Sequence, residues 1–159
     1  MAITEVRIAD RFWEPAAPKR RKEWQTLIAD LLSGDPPFPA SRATTLVIDC
    51  DDEVVTFWLE GGSESDDEEG EHLVPRREIA NLLEEYLRVI DQLGDDGLHP
   101  MRAEALDMAK RVVHDDGGRT LAHVLPALSP SHDTCRRVFS IVVSLAVDTT
   151  KRAWAHRHA

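Results

Sequence analysis

The sequence predicts a single α+β domain, in which a small antiparallel three-stranded sheet packs against four or five helices. Two neighbouring segments, 44–50 and 53–60, are rich in β-branched and aromatic residues, and only two aspartates separate them, which is hairpin spacing. Three other segments, beginning at Pro18, Pro75 and Pro100, repeat apolar residues at helical intervals. Because the helical patterns dominate after the hairpin, the C-terminal half is expected to be all helical.

A short strand is predicted at residues 3–8, where Val6 and Ile8 fall on one face. This segment would supply the third strand, next to the hairpin.

The first long helix is predicted from about Pro18 to Ser33 and is ended by Gly34. Its core-facing positions follow the helical template: Trp24, Leu27, Ile28, Leu31 and Leu32. The helix opens with four cations, residues 19–22, although a helix N-terminus disfavours positive charge. Two interpretations stay open, a solvated first turn or a basic contact patch that a partner or anion offsets.

Residues 61–71 carry six carboxylates and no apolar side chain. Such a segment cannot bury enough apolar surface to offset the entropy of ordering, so it is predicted to be a mobile acidic loop. Its acidic residues do not have the spacing of an EF-hand calcium loop.

The helical half begins with a helix from Pro75 that should end at Gly94–Gly97. An amphipathic helix from Pro100 to about His114 is predicted to stop at the double glycine of residues 117 and 118. After a short helical piece at 120–125, a final helix starts near Ser129–Ser131. Its segment 138–147 is apolar nearly all round, which is typical of a central core helix. The domain is therefore expected to span residues 1–147, with a polar tail at 148–159.

Composition limits the class of protein. The 159 residues, 42% of them hydrophobic, suit one domain with its own core. With 29 acidic and 19 basic residues the formal net charge is −10, which argues against direct nucleic-acid binding and against an anionic membrane surface. The chain shows neither a signal-peptide pattern nor an apolar run long enough to span a bilayer. Two cysteines do not make a secreted disulfide framework. A soluble, cytoplasmic protein is expected, and homo-oligomerisation stays open.

One set of residues resembles a known family. Residues 104–117 read E-A-L-D-M-A-K-R-V-V-H-D-D-G, and residues 133–139 read D-T-C-R-R-V-F. This pattern is similar to that of a bacterial family of roughly 160-residue proteins, mainly alphaproteobacterial, which is catalogued as uncharacterised. The similarity covers about residues 3–147, the acidic loop is longer than usual, and the tail is an extension. The resemblance implies the domain boundaries and singles out residues, but it transfers no activity.

Candidate site residues cluster on the helix that begins at Pro100. At 100° per residue, four polar side chains fall within an arc of roughly 80°: Glu104, Asp107, Arg111 and His114. Met101, Ala105, Met108 and Val112 are expected on the opposite, apolar side, together with Leu106, Ala109 and Val113. The arc is interpreted either as a polar site with His114 as its titratable member, or as a solvent face with an ordinary Asp107–Arg111 pair.

Arg136 and Arg137, at the start of the last helix, gain nothing from the helix dipole, so another group should hold them. A salt bridge to Asp133, Glu104 or Asp107 is one explanation, and a bound anion or phosphate is the other. The histidines His99, His114, His123 and His132 show no metal-binding spacing, and no cofactor motif or nucleophile elbow is present. No metal or cofactor is therefore predicted.

Three functions are compatible with these residues. The preferred one is a binding or regulatory module that contacts a protein or a small anionic ligand through Arg111, His114, Arg136 and Arg137. The alternatives are a small hydrolase-like enzyme, with His114 as general acid/base oriented by Asp107 or Glu104, and an acidic mimic of nucleic acid.

Overall fold

The computed structural model describes residues 3–61, 70–93 and 99–148. Most of the predicted acidic loop (62–69), the Gly94–Gly97 turn and the tail from 149 onward lie outside these ranges.

The described residues form five α-helices and four β-strands. In chain order these are β1 (Glu5–Ile8), α1 (Asp10–Trp13), α2 (Pro18–Ser33), β2 (Thr45–Cys50), β3 (Val54–Glu60), β4 (Gly70–Pro75), α3 (Ala80–Leu93), α4 (Pro100–Val124) and α5 (His132–Ala146). Single 3₁₀ turns precede α3 at Arg76–Glu78 and α5 at Pro126–Leu128. The α+β class is confirmed.

The predicted hairpin is confirmed as the antiparallel pair β2–β3. Its turn is closed by the side chain of Asp51, which accepts hydrogen bonds from the backbone N–H groups of Glu53 at 2.7 Å and Val54 at 2.8 Å. These two donors hold the pKa of the Asp51 carboxyl below its usual value. The two aspartates between the strands are therefore part of the turn itself, as expected for Asx geometry.

The prediction of an all-antiparallel, three-stranded sheet is wrong in two respects. The sheet has the order β1-β2-β3-β4, and β1 runs parallel to β2. A parallel pair needs a long crossover, which α1 and α2 supply between these strands. The fourth strand, β4, includes Gly70, Glu71 and Pro75, which the sequence suggested for the acidic loop and for the start of a helix. Pairing along the whole of β3 outweighs these local preferences.

The helices cover the apolar face of the sheet, and α5 is the central core helix, as predicted. Nine of its fifteen residues are buried. Its N-terminus is capped by Ser131, whose hydroxyl oxygen accepts from the backbone N–H of Thr134 at 3.1 Å. Cys50 and Cys135 are both buried and free, and burial raises the pKa of the Cys135 thiol to about 11.

The expected helix stop at the double glycine is wrong, because α4 continues through Gly117 and Gly118 to Val124. Both glycines face α5. A Cβ on Gly117 would lie 2.4 Å from Cγ of Phe139, and one on Gly118 would lie 2.9 Å from Cγ of Arg136. The glycines thus permit close approach of two helices, and this packing outweighs their cost of about 1 kcal/mol each in a helix interior.

The buried face of α4 also differs from the predicted one. Leu106, Val113 and Leu121 are buried, whereas Met101 and Met108 are 75% and 59% exposed. The apolar residues of α4 occupy more than half of its circumference, so the sequence did not specify which arc would face the core.

No helix within the described ranges is both long enough and apolar enough to cross a membrane.

Candidate functional site

The residues that the sequence singled out on α4 separate into exposed and half-buried groups. Glu104, Asp107 and Arg111 are exposed. Arg111 Nη2 lies 3.5 Å from Asp107 Oδ2, the expected i,i+4 pair, with both side chains more than half exposed. Such a pair stabilises a helix by about 0.2–0.5 kcal/mol. These three residues therefore have the geometry of an ordinary solvent face.

Arg137 fastens α5 to the C-terminal end of α2. Its Nη1 donates to the backbone carbonyl of Asp30 at 2.6 Å, and its Nε lies 3.1 Å from Asp133 Oδ2. A cation at a helix C-terminus interacts favourably with the dipole and bonds a carbonyl that the helix leaves unpaired. A Cβ on Gly34 would lie only 2.8 Å from Arg137 Nη1, so the absence of a side chain at Gly34 leaves room for the guanidinium. Arg137 is thus held by protein groups.

Arg136 belongs to a different cluster, between α4 and α5. Its Nε lies 2.7 Å from Asp115 Oδ1, and His132 Nε2 lies 3.6 Å from the same oxygen. Arg136 therefore has a partner outside the predicted set of Asp133, Glu104 and Asp107, whereas Arg137 does pair with Asp133. The Arg136–Asp115 pair lies beside the point where Gly118 of α4 approaches Arg136 of α5.

The cations at the start of α2 are also used inside the fold. Arg20 Nη2 donates to the carbonyls of Ser144 and Leu145, at 3.0 and 3.3 Å, near the end of α5. Arg21 donates to the carbonyls of Trp13 and Glu14, at 2.8 and 2.6 Å, at the end of α1. The unfavourable charge at one helix N-terminus is therefore offset by the C-termini of two other helices, which neither sequence interpretation included.

His114 lies on the edge of the buried face of α4, between two aromatic rings. The ring of Tyr86 on α3 is 5.1 Å away and that of Phe139 on α5 is 5.7 Å away, both edge to face. Its Nδ1 is 3.0 Å from the backbone carbonyl of Lys110. A carbonyl only accepts, so Nδ1 carries the proton and the neutral ring leaves a lone pair on Nε2.

Burial lowers the pKa of His114, and the positive charges of Lys110 and Arg136 act in the same direction, against the raising effects of the Lys110 carbonyl and of Asp115. The imidazole is therefore neutral at neutral pH. Nε2 makes no hydrogen bond to another residue of the described ranges.

A cleft of about 260 Å³ opens at His114, between the four helices α2 to α5. We refer to it as the four-helix cleft. Its walls are Glu23, Leu27, Tyr86, Ile90, Lys110, His114, Ser140, Val143 and Ser144. The cleft thus combines one acidic, one basic and one imidazole side chain with two hydroxyls, a phenol and an apolar wall.

Three hydroxyl groups line the cleft, on Ser140, Ser144 and Tyr86, and their hydrogen-bonding states differ. The hydroxyl of Ser140 donates to the carbonyl of Arg136 at 3.2 Å, whereas the buried hydroxyl of Ser144 has no partner in the described chain. Burial raises the pKa of Tyr86 to about 12, with a smaller contribution from Glu23, so its phenol keeps its proton and can donate.

Sequence reasoning found His114 but missed the rest of this cleft. The available signals were Lys110 and His114 at i,i+4, and Ser140 and Ser144 at i,i+4 inside an otherwise apolar run. Neither pattern indicates that the two helices face each other. The four predicted ligand-binding residues are distributed over separate places: Arg111 on the surface, His114 in the cleft, Arg136 on Asp115, and Arg137 at the end of α2.

Across the residues that the structure describes, no three His, Cys, Asp or Glu side chains come together in a way that could hold a metal ion.

A family model described as an uncharacterised protein family, UPF0262, matches residues 1–148. The chain belongs to this family. The expectation of an uncharacterised family of about this length is thereby confirmed, and the match ends one residue after the predicted end of the domain. No curated protein and no solved structure matches the chain significantly. Family membership therefore leaves the geometry of the four-helix cleft as the basis for a functional argument.

Proposed function

We propose that this protein is a binding module whose ligand is a small polar molecule held in the four-helix cleft. The observation that supports the proposal most directly is the buried hydroxyl of Ser144, which has no partner in the described chain and lines the same cleft as His114. Buried polar groups in native proteins are nearly always hydrogen-bonded, so the Ser144 hydroxyl would be satisfied by a ligand that also bonds His114 Nε2 across the same cleft.

The charges of the cleft favour a ligand that carries both a donor and an acceptor. An anionic group would meet the ammonium of Lys110, and an N–H or O–H group would meet Glu23 or the lone pair of His114. Leu27, Ile90 and Val143 offer an apolar wall to the aliphatic part. A volume of about 260 Å³ is below the roughly 300–1,000 Å³ typical of pockets for drug-sized ligands. The ligand class is therefore small and zwitterionic or hydroxylated, such as an amino acid or an amino alcohol.

This proposal replaces the expected small anionic ligand with a small zwitterionic or hydroxylated one and changes the residues that would hold it. Arg136 and Arg137 already pair with Asp115 and Asp133. His114 stays in the site, and the cation that lines the cleft beside it is Lys110.

The experiment is an ¹H–¹⁵N NMR titration of the protein with three matched probes: β-alanine, which carries both charges, propionate, which lacks the ammonium, and propylamine, which lacks the carboxylate. We expect β-alanine to shift resonances of residues that line the cleft, and the two others to do so more weakly.

The variants His114→Gln and Arg111→Ala separate the cleft from the surface of the same helix. Loss of binding in His114→Gln with retention in Arg111→Ala supports the proposal. If no probe shifts cleft resonances, or if both variants respond like the wild type, the cleft is not a site for this ligand class.

A second candidate function is acid–base catalysis by His114. It is favoured by the neutral imidazole, whose Nε2 lone pair could accept a proton from a substrate bound in the cleft. The orienting group would be the Lys110 carbonyl, in place of Asp107 or Glu104. The test is hydrolysis of small p-nitrophenyl esters by the wild type, by His114→Gln and by His123→Gln, which alters an exposed histidine. Turnover that His114→Gln retains would exclude this role.

A further inference from the structure

A second feature, away from the four-helix cleft, is the outer edge of β1, the first strand of the sheet. Strand β1 pairs with β2 on one side only, and no strand of the described chain pairs with its other side. The N–H groups of Glu5 and Ala9 bond carbonyls of the β2 side, those of Thr44 and Ile48. In a parallel ladder this pattern alternates, so the N–H and C=O groups of Val6 and Ile8 point away from the sheet.

A groove of about 630 Å³, lined by both apolar and charged side chains, runs beside this edge. We call it the β1 groove. It is lined by Val6, Arg7, Ile8, Asp10, Trp13, Glu14, Gln25, Ile28, Ala29 and Leu32. An unpaired strand edge is a template for strand addition unless the protein covers it.

The side chains of β1 indicate which strand fits. Glu5 and Arg7 both point to the open face of the sheet, with about half of each side chain exposed. Arg7 Nε lies 3.5 Å from Glu5 Oε1, and its Nη2 lies 3.2 Å from Glu60 Oε2 on β3. This Glu-x-Arg pattern is self-complementary when two copies run antiparallel. With Val6 opposite Val6 of a second copy, each Glu5 faces an Arg7 of the other strand.

The alternative register is disfavoured by the same charges. If the two-fold axis passed through Arg7, the two Arg7 side chains would lie directly opposite each other, and like charges in that position destabilise a strand pair. In the register centred on Val6, the two Val6 residues exchange both backbone hydrogen bonds. Glu5 and Arg7 then occupy the non-hydrogen-bonded positions, where side chains approach most closely.

We propose that the β1 edge is the interface of a homodimer, in which two copies join antiparallel across a two-fold axis at Val6 and form one continuous eight-stranded sheet. The contact is isologous, as a two-fold axis requires. The same axis brings Ile28 and Leu32 of one α2 towards those of the other, so that the two copies of the β1 groove cover each other.

Sedimentation velocity over a wide concentration range tests the proposal with three variants: Glu5→Arg, Arg7→Glu and the exchange Glu5→Arg/Arg7→Glu. Each single change makes both cross-strand pairs repulsive and should raise the dimer dissociation constant roughly tenfold or more. The exchange restores opposite charges in both pairs and should return the constant to within about threefold of the wild-type value.

Arg111→Glu is the matched control, because it reverses an exposed charge on α4, and it should leave dimerisation unchanged. Thermal unfolding at the lowest concentration identifies any variant that merely loses its fold. Hydrogen exchange gives an independent measurement, since the amides of Val6 and Ile8 should become more protected as the concentration rises.

A protein that stays monomeric at every concentration overturns the proposal. The proposal is also overturned if the single changes leave the dimer dissociation constant unchanged, or if the exchange does not restore the wild-type constant.

Discussion

The ring of Phe139 lies directly against the backbone of Gly117, where a methyl group would stand 2.4 Å from Cγ of the ring. Phe139 is fully buried and cannot move aside easily. Overpacking a rigid core costs about 1–3 kcal/mol and sometimes more, whereas alanine gains about 1 kcal/mol over glycine inside a helix. We therefore expect Gly117→Ala to lower the free energy of unfolding by up to about 2 kcal/mol, measured by urea denaturation.

The double variant Gly117→Ala/Phe139→Leu identifies the cause. In the smaller leucine background, the alanine should cost at least about 1 kcal/mol less than in the wild type, because the clash has been removed. Ala105→Gly, at an exposed position of α4, calibrates the propensity effect. A stabilised Gly117→Ala variant would contradict the close helix contact.

Two arginines that the sequence grouped together should behave differently when truncated. Arg137→Ala removes a charged hydrogen bond to the end of α2 and should cost about 1–2 kcal/mol of stability. Arg111→Ala removes an exposed pair and should cost less than about 0.5 kcal/mol. Equal losses in chemical denaturation would refute the assigned roles.

His114 should make stability depend on pH. Its folded pKa lies below 6.5, its value in an unfolded chain, so between these two values the unfolded state binds more protons. The free energy of unfolding should therefore fall as the pH drops below about 6.5, and this contribution should level off below the folded pKa.

Denaturation of the wild type and of His114→Gln between about pH 5 and about pH 7.5 isolates this contribution. The variant should lose part of the decline towards acid pH, whereas His123→Gln, at an exposed histidine, should retain it. Parallel curves for wild type and His114→Gln would show that the imidazole does not titrate as described.

The buried hydroxyl of Ser144 makes no hydrogen bond within the described chain. Replacing it by alanine removes an unsatisfied group, so Ser144→Ala should leave stability unchanged or raise it by up to about 1 kcal/mol. Ser131→Ala is the contrasting case, because it removes the N-cap of α5 and should cost about 1 kcal/mol. A marked loss of stability in Ser144→Ala, seen by thermal unfolding, would indicate an internal partner for this hydroxyl.

Much of the fold follows from local pattern. The limits of α2, Pro18 and Ser33, coincide with the prediction, because proline starts the helix and Gly34 follows it. The hairpin strands agree to within one residue, because their turn is encoded by adjacent aspartates. These features depend on residues a few positions apart, which is why a single sequence specifies them.

The errors all concern contacts between distant segments. The direction of β1 depends on the crossover through α2, and β4 depends on pairing with β3. The continuation of α4 past Gly117 depends on a ring 22 positions further along the chain (139 − 117). Helix propensity alone would end α4 at these glycines, but packing against α5 makes the helix continue through them.

The candidate site shows the same division. The Asp107–Arg111 pair was predictable from spacing, and it lies on the solvent face. The four-helix cleft draws its residues from α2, α3, α4 and α5, so no local pattern could bring Glu23, Tyr86 and Ser144 to His114. The sequence showed only that each of the four helices carries a polar residue next to its apolar stripe.

The parallel pairing of β1 with β2 also bears on the order in which the chain acquires its structure. The β2–β3 hairpin closes over a turn of three residues, 51–53, whereas β1 meets β2 only after α1 and α2 have crossed between them. Closing that longer loop costs more chain entropy, so β1 is expected to dock late in folding and to detach early under mild denaturant. The first strand in sequence would then be the last to join the sheet.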